Sequence, residues 1–319
     1  MTFEAAARAL TDARSIALAC HVGPDGDALG SMLGLALAAR NAGKEVVASF
    51  GSPYVVPPSL RFLPMDLLVE PGSFPERPEV MVVLDVGSAE RVGELAANAG
   101  QAGTVVVIDH HVTNEGFGDV ALIDPTAAAT GELVYDLLGV LGWDIDPEVA
   151  QCLLTALVTD TGRFQYSNTT PRTLQIASDL VARGADPSVV GRHVYEEAPF
   201  GYLKAAGVAM ERATLDEAKS VVSTTITQED LDEIEITWAD TENLIDLLRI
   251  AVEADTAVLI KSHADGTVKV SMRSRGDTDV GGLAAALGGG GHRLAAGLTT
   301  RGTVDEVRAR ILEMVEDYR

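Results

Sequence analysis

Residues 15–49 read SIALACHVGPDGDALGSMLGLALAARNAGKEVVAS, and this stretch decides the fold class. SIALAC (15–20) and EVVAS (45–49) are short apolar runs of the kind that form buried strands. Between them, ALGSMLGLALAARNAG has the composition of a helix and stops at Gly43. A strand, a helix and a second strand, with strands apolar on both faces, make one βαβ unit of a parallel sheet. The polar residues of the stretch gather in the turn between the first strand and the helix, where His21, Asp25 and Asp27 fall within seven positions.

The same pattern continues outward. VMVVLD (80–85) and TVVVIDH (104–110) read as further buried strands, and SAERVGELAANAG reads as a helix ending at Gly100. SPYVVPPSLRFLP (52–64) reads as a surface loop. A helical region over about 128–213 is broken by TGRFQYSNTTP. Near Ser220 the pattern changes. SVVSTTIT, TAVLIKSH and TVKVSMRS read as strands, TENLIDLLRIAVEA as a helix between the first two, and Asp265-Gly266 as a hairpin turn. A helix from about Val304 closes the chain. The expected fold is α/β: a parallel-sheet domain over 1–190 with helices on both faces, a helical linker over 191–215, and a smaller α+β domain over 216–319.

Composition narrows the function. The chain has 319 residues, 47% hydrophobic and 22% charged, the mix of a folded chain long enough for two domains. Its net charge of -23 opposes binding to long duplex nucleic acid, which depends on many Lys and Arg contacts. A small anionic substrate is compatible with that charge, because a divalent metal reverses the local potential. No apolar run reaches the roughly 18 residues of a membrane span, and the acidic N-terminus does not read as a secretory signal, so a cytoplasmic location is expected. Cys20 and Cys152 lie in apolar runs and read as reduced core thiols.

Chemistry-bearing residues recur where strands and helices end. In open parallel sheets, ligands bind beyond the carboxyl ends of the strands. His21, Asp25 and Asp27 follow SIALAC, Asp85 ends VMVVLD, Asp109, His110 and His111 end TVVVID, and Asp160 ends the apolar run in ALVTDTGRF. Taken singly, Asp27 reads as a helix N-cap, Asp25 as a turn residue, and Asp85 as a cap for the next helix. Four such places in one α/β domain point instead to a metal centre. A mixture of histidine and carboxylate suits Mn, Zn or Fe, whereas an all-oxygen set suits Mg or Ca. So many carboxylates fit a pair of divalent ions, which repel one another and share a bridging ligand.

The segments HVGPDGDALGS, VVLDVGSAERVG, VIDHHVTN and ALVTDTGRF resemble, in order, the four motifs of the DHH phosphoesterase family, and GGGGHRLAAG (288–297) resembles the glycine-rich signature of the DHH-associated C-terminal domain. In length and domain content the chain is most similar to the family's bacterial short-oligonucleotide hydrolases, which also dephosphorylate adenosine 3′,5′-bisphosphate. The resemblance implies a metal-binding catalytic domain over 1–190 and a substrate-binding domain over 216–319. It implies two divalent ions, Mn2+ first, with Mg2+ or Co2+ as alternatives. One would be held by His21, Asp25 and Asp85, the other by Asp27, Asp85, His110 and Asp160, with Asp85 bridging. Asp109 would orient an imidazole, and His111 would face the substrate as a proton donor. Arg163 receives no role.

Arg273, Ser274, Gly289, Gly290, Gly291 and His292 are the expected substrate contacts, in a segment where Lys261, Lys269, Arg273, Arg275, Arg293 and Arg301 outnumber the acids. The expected substrates are di- to about pentanucleotides, cleaved to nucleoside 5′-monophosphates, and adenosine 3′,5′-bisphosphate, with cyclic dinucleotides as a further class. No long duplex and no membrane are expected as partners, and a homodimer is expected. Two rivals share the motifs: a family II inorganic pyrophosphatase, which would lack GGGGHRLAAG, and a non-catalytic nucleotide sensor, which would have lost a ligand.

Overall fold

The structure, a computed structural model, describes residues 3–319 and divides into two compact units, Met1–Glu197 and Ala198–Arg319. The first contains α1 (Phe3–Asp12), β1 (Ser15–Cys20), α2 (Gly26–Asn41), β2 (Glu45–Phe50), β3 (Val80–Leu84), α3 (Ala96–Ala99), β4 (Thr104–Asp109), β5 (Val120–Ile123), α4 (Thr130–Leu141), α5 (Pro147–Asp160), α6 (Pro171–Ala182) and α7 (Pro187–Val190). Its five strands form an all-parallel sheet in the order β2-β1-β3-β4-β5. The four strands read from the sequence are present, and β5 is an addition.

Alternation along the strands splits the first unit's core in two. Ile16, Leu18, Val82, Leu84, Val106 and Ile108 face one large cluster with residues of α1, α2, α4 and α5. Ala17, Ala19, Met81, Val83, Val105 and Val107 face the other way, onto Val92, Leu95 and Phe74. The helix expected over SAERVGELAANAG is a 3-10 stretch (Ala89–Leu95) followed by the single turn of α3. Gly93 causes the break: its φ of 66° is left-handed, and no continuous right-handed helix passes through it. The second face is therefore covered by short segments, the first by full helices. The proline-rich loop 52–64 is not purely superficial, since Leu60 and Leu63 are buried in the larger cluster.

The second unit contains α8 (Phe200–Glu211), β6 (Thr214–Asp216), β7 (Val221–Thr227), α9 (Gln228–Ile234), α10 (Leu244–Leu248), β8 (Thr256–Ser262), β9 (Thr267–Ser274), α11 (Val280–Ala286), β10 (Gly290–His292), β11 (Ala295–Arg301) and α12 (Val304–Met314). Its sheet is mixed, in the order β10-β11-β9-β8-β7-β6, with only β7 and β8 parallel. The Asp265-Gly266 turn joins β8 to β9 as expected. TENLIDLLRIAVEA is much less helical than its sequence suggests. Leu244, Ile245 and Leu248 are buried, but Ile250 and Val252 are 78% and 79% exposed, so the apolar stripe ends and the helix ends with it.

Candidate metal centre

All five strands of the first sheet run the same way, so their carboxyl ends share one edge. β1, β3 and β4 are neighbours there, and each ends in a candidate ligand: His21 follows β1, Asp85 follows β3, and His110 follows β4. Asp85 leaves the strand with a left-handed φ of 56°, a conformation that Asp tolerates better than most residues.

Asp27 and Asp160 arrive on helices. α2 starts at Gly26, and its N-cap is Asp25, whose Oδ1 accepts from the N–H groups of Asp27 and Ala28 at 3.1 and 3.0 Å. Asp27 is thus a first-turn residue and not the cap, leaving its carboxylate for other partners. Asp160 is the last residue of α5, which begins at Asp146 (N-cap) and Pro147. The two helices are antiparallel and unusually close, because α2 presents Gly26, Gly30 and Gly34 to α5. A Cβ on Gly30 would lie 2.5 Å from the Cys152 carbonyl oxygen and 2.9 Å from the Ala156 nitrogen. This glycine-every-fourth pattern was visible in GDALGSMLGLA and gives the physical basis for Asp27 and Asp160 lying together.

The six residues gather in two groups around Asp85. Donor atoms of His21, Asp25 and Asp85 lie within 4.8 Å of one another, as do those of Asp27, His110 and Asp160. His21 Nε2 is 3.8 Å from Asp25 Oδ2 and 3.6 Å from Asp85 Oδ2. His110 Nε2 is 3.7 Å from Asp27 Oδ2, 3.6 Å from Asp85 Oδ1 and 3.6 Å from Asp160 Oδ2. These separations exceed hydrogen-bond length and suit donors that face a common cation. Asp85 turns one oxygen to each histidine. Both histidines are held from behind: His21 Nδ1 lies 3.1 Å from the Val22 carbonyl and His110 Nδ1 lies 3.3 Å from that of Ala127. A carbonyl only accepts, so Nδ1 carries the proton and Nε2 faces the carboxylates.

Electrostatics supports the same arrangement. Burial drives the Asp27 carboxyl well above the usual range, and the charges of Asp85 and Asp160 drive it further. Burial and the charge of Asp85 push Asp160 up to about 7 against the opposing charge of His110. Burial would lower His21, but Asp25 and Asp85 outweigh it and raise the imidazole to about 10. A set of acids that repel one another, Asp27 and Asp85 buried and Asp160 partly so, with histidines aimed at them, is a chemical fit for divalent cations.

His111 does something different from its neighbour. It is buried, and its Nδ1–H donates to Asp109 Oδ1 at 2.7 Å. Asp109 is fully buried and also accepts from Asn114 Nδ2 at 2.7 Å, while Asn114 donates to the Val86 carbonyl at 3.1 Å. Burial opposes ionisation of Asp109, but His111 and Asn114 hold its carboxyl below the usual range, and Asp109 in turn raises His111 against burial. Asn114, within VIDHHVTN, was not singled out from the sequence. Neither was Thr130, whose N–H and hydroxyl reach Asp27 and Asp85.

In the second unit, GGGGHRLAAG forms a hairpin. Gly290–His292 pairs antiparallel with Ala295–Gly297 as the edge strand of the sheet. A side chain on Gly289 would collide with the Gly297 carbonyl and Leu298, and one on Gly291 would lie 2.5 Å from Ala296 Cα, whereas Gly290 faces open space. The glycines thus first serve close strand packing. His292 pairs with Ala295 and Ala295 with Arg273, which sets His292 and Arg273 on one face of the sheet. Ser274 alternates to the other face and is fully buried, its hydroxyl donating to Asp255 Oδ2 at 3.0 Å and accepting from Gly276 N–H. The basic segment is partly consumed inside the unit: Lys261 is buried and pairs with Glu242 Oε1 at 2.7 Å.

Comparison with known proteins agrees with this architecture. The DHH family, N-terminal domain, matches residues 15–157, and the DHHA1 domain matches residues 218–318. The bifunctional oligoribonuclease and PAP phosphatase NrnA of Thermus thermophilus is 34% identical over 95% of this chain and 89% of its own length. The protein of the same name from Bacillus subtilis is 29% identical over 89% of this chain and 88% of its own. The crystal structure of an exopolyphosphatase-related protein from Bacteroides fragilis superposes with a TM-score of 0.91, at 26% identity, covering 99% of this chain and 96% of that one. No described helix is long and apolar enough to cross a membrane. With both domains matched in order and a relative this similar along nearly its whole length, the chain belongs to the DHH family and carries a C-terminal DHHA1 domain.

Proposed function

We propose that this chain is a metal-dependent phosphoesterase. It hydrolyses short oligonucleotides, from di- to about pentanucleotides, to nucleoside 5′-monophosphates and dephosphorylates adenosine 3′,5′-bisphosphate to AMP. The observation that carries the reading is Asp85, whose two oxygens each lie 3.6 Å from a histidine of a different donor group. Two Mn2+ ions are the proposed cofactor, held by His21, Asp25 and Asp85 on one side and by Asp27, Asp85, His110 and Asp160 on the other. When bound, they would stabilise charge at phosphorus and make an attacking water more acidic.

The protein's own contribution is orientation and proton placement. The Val22 and Ala127 carbonyls fix the ligand tautomers of His21 and His110. Asp109, braced by Asn114, clamps His111 through Nδ1. With Nδ1 held by Asp109, Nε2 of His111 is the atom proposed to present a proton to a phosphoryl oxygen or leaving group. Residues 1–190 form the catalytic domain in this reading and 216–319 the substrate-binding domain, where Arg273, His292 and the exposed backbone at Gly290 are the proposed anion contacts. Ser274, buried on the other face, is not proposed as a contact but shapes the turn after Arg273.

A pyrophosphatase is the weaker reading, because GGGGHRLAAG lies within the DHHA1 match and the similar full-length relatives are named for oligoribonuclease and PAP phosphatase activity. A non-catalytic sensor is weaker too, because all six candidate ligands converge. One hydrolysis panel with Mn2+ tests the proposal, using adenosine 3′,5′-bisphosphate, linear di- and trinucleotides, cyclic dinucleotides, pyrophosphate and a long single strand. The bisphosphate and the short linear nucleotides should be turned over fastest. Turnover of pyrophosphate alone, or of nothing, would sink it.

A further inference from the structure

Helix α4 begins in an odd way. Its N-cap position is Ala129, which offers no side-chain acceptor to the first turn. The N–H groups of Thr130 and Gly131 go instead to a carboxylate 103 and 104 residues earlier: Thr130 N–H donates to Asp27 Oδ2 at 2.7 Å and Gly131 N–H to Asp27 Oδ1 at 2.9 Å. Asp27 therefore serves as a long-range N-cap for α4, held through both oxygens. The hydroxyl of the same Thr130 donates to Asp85 Oδ1 at 3.1 Å. That is the Asp85 oxygen turned toward His110. Thr130 is fully buried, so water does not substitute for either bond.

We propose that Thr130 is a positioning residue of the metal centre, fixing Asp27 through its N–H and Asp85 through its hydroxyl. The inference rests on the metal reading above and extends it to a residue outside every motif of the sequence. One buried residue sets the separation and rotation of two carboxylates that arrive on different elements, α2 and the end of β3. Each hydrogen bond occupies one lone pair of its oxygen and leaves another for a cation. The N-terminal end of α4 also points its first backbone N–H groups at the Asp27 carboxylate. Gly131 completes the fit, since a Cβ there would lie 2.5 Å from Ala156 Cβ on α5 and push α4 away from the cluster.

Thr130→Val and Thr130→Ser separate this role from packing. Both keep the backbone N–H. Valine keeps the shape and loses the hydroxyl, while serine keeps the hydroxyl and loses a methyl. Mn2+ binding to each full-length protein is followed by electron paramagnetic resonance of the free ion, alongside thermal unfolding in chelator. Removing an outer partner of a metal ligand typically weakens affinity by about 10–100-fold. Thr130→Val should therefore bind Mn2+ at least about tenfold more weakly than wild type, and Thr130→Ser within about threefold of it. The idea is overturned if valine binds as wild type does, or if serine and valine weaken binding equally, which would make Thr130 a packing residue. A wild-type protein that takes up no Mn2+ overturns the metal reading itself, and this inference with it.

Discussion

Two adjacent histidines with different tasks show how much the backbone decides at the scale of single residues. His110 turns Nε2 toward three carboxylates and is backed by the Ala127 carbonyl, whereas His111 is clamped through Nδ1 by Asp109. Substitution should separate them. His111→Ala should keep its full complement of Mn2+ and lose about 10²–10⁴-fold in turnover, the usual scale for a proton-transfer group. His110→Ala should lose bound metal. Elemental analysis of the two purified variants, with turnover of a dinucleotide, is the check. Metal loss in the His111 variant and retention in the His110 variant would exchange the two roles. The sequence exposed these residues because each ends a strand, and strand ends are legible from apolar runs. Thr130 and Asn114 were not legible, because their importance lies in hydrogen bonds to Asp27, Asp85 and Asp109 that exist only once distant elements meet.

At the scale of elements, the contact between α2 and α5 is what brings Asp27 to Asp160. Gly30 lies against the backbone of α5, while Gly139, also inside a helix, has nothing within 4 Å of its would-be Cβ. The same substitution should therefore act with opposite signs. Gly139→Ala should stabilise by about 0.5–1 kcal/mol through helix propensity. Gly30→Ala should destabilise by about 1–3 kcal/mol, since overpacking outweighs propensity, and should weaken Mn2+ binding as α5 carries Asp160 away. Denaturant unfolding and a Mn2+ titration measure both effects. Unchanged Mn2+ affinity in the Gly30 variant would show that the close approach does not set the ligand geometry. The sequence predicted α2 itself well, because a long apolar helix between two strands is a local signal. It misread SAERVGELAANAG and TENLIDLLRIAVEA as full helices. A left-handed glycine in the first and the end of the buried stripe in the second overrode residues with ordinary helical preference. The glycine-rich segment was legible only through its resemblance to a family signature and not as a strand pair, because pairing at a sheet edge leaves almost no apolar pattern.

For the whole molecule, the balance is between a net charge of -23 and a centre that concentrates acids in the core. In chelated protein the signs can be worked out group by group. Asp160 has its pKa raised to about 7, so the stability it contributes is fully present below its unfolded value of about 4 and is lost as pH rises through 7. Asp27 is raised as well and acts in the same direction. His21 is raised to about 10, so its contribution is fully present below about 6.5 and is lost as pH rises through 10. Asp25 and Asp109 are lowered, and their contributions fade only as the solution turns acidic, outside this window. The loss from Asp160 is thus complete just above pH 7, the loss from His21 continues on to pH 9, and rising self-repulsion adds to both. Chelated protein should melt at progressively lower temperature from pH 6 to 9, by about 2–4 °C for each kcal/mol lost. Mn2+ should reverse the trend, because binding displaces the protons on His21, Asp27 and Asp160 and tightens as pH removes them for it. The gap between Mn2+-loaded and chelated melting temperatures should thus widen with pH. Scanning calorimetry at pH 6, 7.5 and 9 decides the matter: a gap that narrows with pH, or a chelated protein that gains stability toward pH 9, would show that these side chains do not form a proton-storing metal site.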